Sequence, residues 1–151
     1  MYLLEFFTLL AAGFTASAEA SSHFFVHPVI RRLPAEHHIR VEQGLLRTFG
    51  RVMPLLMPAT VALSAAYALV GPAQPGTVGI LRWVAAILFA AAVAVTLAVN
   101  VPINRQTAQW DPLNPPGDWQ RLRTRWERFQ NVRSILLLVG FALLTISIAL
   151  R

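Results

Sequence analysis

The 151-residue sequence has no cysteine, no lysine and only seven acidic residues. Without cysteine the chain has no disulfide, no thiolate nucleophile and no thiolate metal ligand. It also lacks glycine-rich phosphate loops, dinucleotide fingerprints and the motifs of nucleophilic triads. Hydrophobic residues make up 56% of the chain and charged residues 13%, and the mean hydropathy is +0.54. So few charges cannot cover a water-exposed surface, and the composition indicates a membrane protein.

Four apolar segments are long enough to form membrane helices, because about 20 helical residues cross a hydrocarbon core of about 30 Å. We predict helices over about residues 2–29, 35–70, 77–106 and 118–150, with Asp118 as the N-cap of the last. The uncharged segment 71–77, rich in glycine and proline, is the clearest turn. The predicted fold is all-α: one membrane domain, residues 1–151, forming a four-transmembrane-helix antiparallel bundle with amphipathic cytoplasmic extensions.

The arginines are unequally divided between the two ends of this bundle. Eleven of the 13 lie in or beside the first and third connections, whereas Arg82 and Arg151 flank the opposite end. The positive-inside rule then places those two connections in the cytoplasm and both termini outside. Membrane topology accounts for the basic charge, so the expected partner is the lipid bilayer and no nucleic-acid partner is predicted.

Antiparallel packing brings the polar residues of all four helices to the cytoplasmic end. Glu19, His23 and His27 are spaced i, i+4, i+8 on one face of the first helix, and His38 and Glu42 share a face of the second. Ionisable groups at membrane depth are costly, usually face the bundle interior and are functional candidates. The alternative is structural: Glu19 would pair with Arg133 of the last helix and lock the bundle.

Two further features lie at the same end. Asn100 and Asn104 lie one turn apart near the C-terminal end of the third helix. Pro102 between them interrupts the helical hydrogen bond to the Ala98 carbonyl. Gly13, Gly44, Gly50 and Gly140 are interpreted as positions of close helix packing. On the fourth helix Arg133 shares a stripe with Trp126 and Phe129, which are candidates to line an aromatic-binding cavity.

Residue types alone leave a cofactor open. Imidazole and carboxylate suit a transition metal, and the candidate ligands are Glu19, His23, His27 and His38 with Glu42 beside them. Two histidines from the first and second helices would also suit haem. The Glu-x-x-His spacing of di-iron bundles is absent, since glutamate and histidine are four residues apart here. We predict no cofactor, with haem or a transition metal as the alternative.

A resemblance to a known family rests on three segments, together with Trp119 and a final apolar helix. The segments are NVPINRQTAQWDP (residues 100–112), RWERFQNVR (residues 125–133) and HPVIRRLP (residues 27–34). The sequence resembles the anthrone-oxygenase-like family of small four-helix integral membrane proteins, many of whose bacterial members have no assigned function. The resemblance implies a multi-pass protein of a bacterial-type inner (plasma) membrane. Family members often have a histidine just before the arginine equivalent to Arg133, where this chain has Gln130, Asn131 and Val132.

The resemblance implies oxidation of polyketide anthrones to anthraquinones without a metal or flavin. A base removes an acidic proton beside a carbonyl, the enolate reduces dioxygen, and cationic or amide donors stabilise the oxyanion. The catalytic candidates are the bases His23, His27 and His38 together with Arg133. The candidates for substrate binding are Glu19, Glu42, Asn100, Asn104, Trp126, Phe129 and Asn131.

We therefore predict a cofactor-independent oxygenase or quinone-type redox enzyme that acts on a hydrophobic small molecule, a lipophilic aromatic, at the cytoplasmic membrane boundary. The alternatives are a haem- or metal-binding membrane protein and a non-enzymatic accessory subunit with a structural polar cluster. A homo-oligomer or a membrane partner protein is compatible with each of these interpretations, because close-packing glycines are common in associating helices.

Overall fold

The computed structural model describes residues 2–71 and 76–150, and these form the predicted all-α bundle of four long helices. Helix α1 comprises Tyr2–Ser21, a π-helical turn at Ser22–Val26 and His27–Ile30, and α2 is Ala35–Val70. Helix α3 comprises Thr77–Val95, a second π-helical turn at Thr96–Asn100 and Val101–Thr107, and α4 is Trp119–Ala149. No strand occurs in the described ranges.

All four helices are long and apolar enough to cross a membrane. Large apolar side chains cover their outer faces, including Phe6, Phe14, Leu55, Ile87 and Ile146. Such a surface is unfavourable in water and suits the hydrocarbon core of a bilayer. Residues 72–75 of the predicted turn between α2 and α3 lie outside the described part of the chain.

Each π-helical turn ends two residues before a proline. The amide of His27 donates to the carbonyl of Ser22, and the amide of Val101 donates to that of Thr96, five residues back in each case. Pro28 and Pro102 follow at the next position. Proline cannot donate a hydrogen bond and its ring collides with the carbonyl four residues back, and the wider turn accommodates both effects. Helix α1 therefore continues through Pro28 and ends at Ile30, one residue beyond the predicted end at about residue 29.

The core between α3 and α4 contains Phe89, Leu137 and Leu144, all nearly or fully buried. A Cβ atom added at Gly140 would lie 2.8 Å from the Phe89 ring, so this glycine is a close-packing position as expected. Nothing lies within 4 Å of a Cβ added at Gly44 or Gly50, so the same interpretation is wrong for these two glycines of α2.

Two polar contacts organise the helix ends at the site. The Gln43 side chain donates hydrogen bonds to the carbonyls of Thr107 at 3.0 Å and Trp110 at 2.9 Å, at and just beyond the C-terminal end of α3. It thereby satisfies acceptors that a helix end leaves free. Asp118 stands at the N-cap position of α4 but makes no side-chain capping bond there. Its carboxylate instead accepts from Arg121, because the following turn brings that guanidinium within 3.3 Å.

Candidate functional site

The first buried group, the Glu42 cluster, consists of Glu42, His27, His38 and Arg123. The Glu42 Oε1 atom lies 2.6 Å from Arg123 Nη2, 3.4 Å from His27 Nδ1 and 3.7 Å from His38 Nε2. All four side chains are at least nine-tenths buried. Helices α1, α2 and α4 each contribute to this cluster, so one carboxylate holds three helices together at the site.

Two indole rings flank the Glu42 cluster. The Trp126 ring lies 4.8 Å from the His27 ring, and the Arg123 guanidinium stacks 4.4 Å from the Trp126 ring centroid. The Trp119 ring meets His38 edge-on at 5.2 Å. Stacking on an aromatic face stabilises a guanidinium that has been removed from water.

The second buried group, the Glu19 cluster, consists of Glu19, Gln130, Arg133 and Thr96. The Glu19 carboxylate accepts hydrogen bonds from Arg133 at 2.7 Å and from Gln130 at 2.8 Å. Arg133 also donates to the side-chain oxygen of Gln130 and, at 3.2 Å, to the hydroxyl of Thr96. The ion pair between Glu19 and Arg133 that the sequence suggested is therefore present, within a network that joins α1, α3 and α4.

A cavity of about 210 Å³ connects the two clusters to the apolar interior. Its polar end is formed by side chains of both clusters and the indole between them: Glu19, His27, Glu42, Thr96, Trp126 and Arg133. Its walls are apolar and come from α2 and α3, including Leu45, Phe49, Met53, Met57, Val93 and Val101. The cavity thus combines an acid-base and cationic end with an apolar body.

The cavity is open at its side, between α2 and α3. Gly50, Pro54, Pro58 and Leu97 line it and are exposed on the outer surface of the bundle. Exposed positions on α2 and α3 face the hydrocarbon when the helices cross a bilayer. The cavity therefore reaches the part of the surface that would face the hydrocarbon.

Several donors and acceptors at the site are buried without a hydrogen-bond partner. They include the Nε1 atom of Trp126, the Nε atom of Arg133 and the side-chain oxygens of Asn100 and Asn104. The other side of the Asn100 amide is engaged, since it donates to the Trp126 carbonyl at 3.2 Å. Buried polar atoms without partners are costly, so Trp126 and Arg133, which line the cavity, have donors suited to a bound oxygen atom.

Some of the residues predicted from the sequence lie away from this cavity. His23 is half-buried with its ring edge-on to Phe24, and neither His23 nor His38 lines the cavity. Phe129 is half-buried and also outside the lining, whereas Asn131 is exposed. The geometry therefore gives no support to the predicted binding role of Asn131, which is separated from the site by the thickness of α4.

Arg123 and Gln130 were not among the predicted site residues, although both are buried in the clusters. A signal for them exists in the sequence: Arg123, Trp126, Gln130 and Arg133 follow each other at spacings of three, four and three residues. This spacing places all four on one stripe of α4. Because a run of arginines near a membrane boundary is normally exposed, composition alone did not distinguish Arg123 from its neighbours.

The predicted metal ligands are not gathered around one point. Glu19 is bound to Arg133 and Gln130, and His23 lies against Phe24, while His27 and His38 both face Glu42. Within residues 2–71 and 76–150, no group of three or more histidine, aspartate or glutamate side chains is arranged to hold a metal ion.

Fold and site together define a class: a small bundle of four membrane-length helices with buried acidic, basic and imidazole side chains at one end of an apolar cavity. Residues 45–143 match the anthrone oxygenase family, and the chain belongs to this family. No curated protein and no solved structure matches the chain. The matched segment contains Arg123, Trp126, Gln130 and Arg133, whereas Glu19, His27, His38 and Glu42 precede it.

Proposed function

We propose that the protein is a cofactor-independent oxygenase, or a quinone-type redox enzyme, that oxidises a lipophilic aromatic at the membrane boundary. The observation that carries this proposal is the cavity between α2 and α3, where an imidazole and carboxylate pair and a buried arginine meet an apolar chamber. Membership of the anthrone oxygenase family supports the same chemistry. Anthrones, whose CH₂ group beside the aromatic rings is acidic, are the substrate class that we favour.

Substrate binding in this proposal uses the open side of the cavity. At about 210 Å³ the cavity is smaller than the roughly 300–1,000 Å³ usual for ligand pockets, so a fused ring system extends into the gap between α2 and α3. Apolar side chains hold the rings, and the oxygen-bearing edge turns towards the polar end. The Trp126 indole, which lines the cavity beside His27, contacts the oxygen-bearing edge of the ring system.

Proton removal is assigned to the pair formed by His27 and Glu42. A carboxylate 3.4 Å from Nδ1 favours the imidazole tautomer that has its proton on this nitrogen. The Nε2 atom of His27 then has a free lone pair and acts as the general base. Glu42 is itself held by Arg123, so it orients the imidazole and stabilises the positive charge that develops on it.

Arg133 and Trp126 are assigned the role of stabilising the negative charge that forms on the substrate oxygen. Arg133 is anchored by Glu19 and Gln130 but has a buried Nε donor without an acceptor, and the indole Nε1 of Trp126 is also unsatisfied. Fixed donors in a site of low dielectric constant stabilise a developing oxyanion strongly. The same two donors also favour substrates with a carbonyl or phenolate oxygen.

The electron-rich carbanion then reduces dioxygen. A carbon–oxygen bond forms at the deprotonated carbon, and the resulting peroxide takes up a proton returned by His27. Loss of the second carbon-bound hydrogen and cleavage of the oxygen–oxygen bond give a carbonyl and one molecule of water. In sum, one anthrone and one dioxygen become one anthraquinone and one water, so no further reductant is needed.

Oxygen uptake by the protein in liposomes tests this proposal, with anthrone as the probe and ¹⁸O₂ as the oxidant. We expect anthraquinone with one ¹⁸O atom, and a roughly 100-fold lower rate for Glu42→Gln or His27→Gln because the general base is lost or misoriented. His37→Gln, at an exposed position on α2, is the matched control and should retain the rate.

Two results would overturn the assignment. Full activity of the Glu42→Gln and His27→Gln proteins would remove the base from the proposal, and absence of anthrone oxidation by the unaltered protein would remove the function. If circular dichroism shows that both variants lose their helical fold, the polar clusters stabilise the bundle. The result would then favour the interpretation as an accessory subunit.

We also propose the orientation that the arginines suggest, with both termini outside and the α1–α2 and α3–α4 connections in the cytoplasm. The cysteine-free chain makes this simple to test, since one cysteine can be introduced at the exposed positions Asn114 or Thr77. A membrane-impermeant thiol reagent added to intact cells should label Thr77→Cys only. If only Asn114→Cys is labelled, the protein has the opposite orientation.

A further inference from the structure

A groove of about 440 Å³ lies on the opposite side of α2 from the cavity. Phe14 and Ala18 of α1 form one wall, and Phe49, Val52 and Met53 of α2 form the other. Phe49 and Met53 also line the cavity, so these two side chains separate the groove from it. The groove is a second apolar site, which the proposed oxidation does not use.

Arg47, Thr48 and Arg51 of α2 also line the groove and supply its polar side chains. The two arginines are one helical turn apart on α2, and both are exposed. In the described part of the chain, no carboxylate lies within ion-pair distance of either guanidinium. The two arginines therefore place two positive charges beside the apolar groove, at the point where the uncharged part of α2 begins.

We propose that this groove binds an anionic phospholipid. The phosphate of the headgroup is held by Arg47 and Arg51, and an acyl chain lies along Phe14, Val52 and Met53. The chemistry of the site matches both parts of such a lipid, because guanidinium groups bind phosphate oxygens strongly and the groove below them is apolar. The position matches as well, since basic side chains at the end of a membrane span attract anionic headgroups.

This inference does not depend on the oxidation chemistry, since the groove and the cavity have separate polar residues. A bound lipid would nevertheless contact Phe49 and Met53, which form the cavity wall from the other side. The lipid therefore fills a gap in the bundle surface beside α1 and stabilises the position of α2.

Native mass spectrometry of the purified full-length protein tests the proposal, with phosphatidylglycerol and phosphatidylcholine of identical acyl chains as the probes. We expect one phosphatidylglycerol to be retained in preference to phosphatidylcholine. Arg47→Gln/Arg51→Gln should weaken its binding by roughly tenfold or more, because two basic contacts to the headgroup are lost. Val52→Trp, which fills the groove from an exposed position without changing the charge, should also weaken it.

The matched control is Arg125→Gln/Arg128→Gln, which removes two exposed arginines of α4 from the same end of the bundle. This variant should retain the tightly bound phosphatidylglycerol. Equal retention by the two double variants would overturn the proposal, as would equal binding of phosphatidylcholine. Inorganic phosphate is added as a competitor in a final experiment. If phosphate displaces the lipid when both are at equal concentration, the apolar groove contributes nothing to lipid binding and the proposal is overturned.

Discussion

Glu42 is the residue on which the site depends most, because its single carboxylate faces a guanidinium and two imidazoles from three helices. A buried carboxylate has a large desolvation penalty, which only close and well-placed partners offset. Arg123 is such a partner at 2.6 Å, and its stacking on Trp126 fixes its direction. We infer that Arg123 positions Glu42 and that Glu42 positions His27.

Arg123→Met should lower the free energy of unfolding by about 3–5 kcal/mol, because it leaves a buried carboxylate without its cation. Arg121→Met, at an exposed position where the arginine pairs with the exposed Asp118, should cost less than about 1 kcal/mol. Denaturant unfolding in mixed micelles, followed by circular dichroism, measures both. A small and equal loss in the two variants would contradict the role of Arg123. If Arg123→Met cannot be purified, the double variant Arg123→Met/Glu42→Met should restore the fold.

At this scale the sequence predicted residue types better than residue positions. Glu19, His27, Glu42, Trp126 and Arg133 were expected at the site and all five line the cavity. Four of them are ionisable, and their choice followed from the cost of such groups inside a membrane helix, which depends only on residue type and depth. Trp126 was chosen because it shares a stripe of α4 with Arg133. The rotational position of Asn131 depends on which stripe of α4 faces inward, and the aromatic residues alone did not determine it.

At the scale of helices, the two π-helical turns determine how α1 and α3 present their polar residues. Thr96 and Asn100 begin and end one of these turns, and the other directly precedes His27. The sequence indicated a disturbed ladder at Pro102, because proline has no amide hydrogen. It did not indicate a wider turn, since Pro54 and Pro58 lie inside α2 without one. A proline therefore does not by itself determine whether a π-helical turn forms.

The glycines of α2 and α4 provide a test of helix packing. Gly140→Ala should destabilise the protein by about 1–3 kcal/mol, because its Cβ would lie 2.8 Å from the buried Phe89 ring. Gly44→Ala has nothing within 4 Å of the new atom and should stabilise the protein by up to about 1 kcal/mol through helix propensity. Thermal unfolding of both variants in the same detergent measures the difference. Equal shifts of the two variants would refute the close contact between α3 and α4.

At the scale of the whole molecule, the cavity joins the Glu42 and Glu19 clusters to the outer surface of the bundle. The fold class was accessible from the sequence because membrane helices need only length and hydropathy. The cavity was not, since its lining combines side chains of all four helices, whose mutual packing a sequence pattern does not give. This side opening is the feature that connects the fold to the proposed oxidation of membrane-dissolved aromatics.

The most direct test of that central claim compares Gly50→Leu with Gly44→Leu in the anthrone oxidation assay. Both glycines are on α2 with open space at the Cβ position, so both variants should fold, but only Gly50 lines the cavity. We predict that Gly50→Leu lowers kcat/KM by about tenfold or more, mainly through KM, because the leucine occupies the space of the substrate. Gly44→Leu should match the unaltered protein. Equal kcat/KM values for the two variants would contradict the proposal that the substrate binds in this cavity.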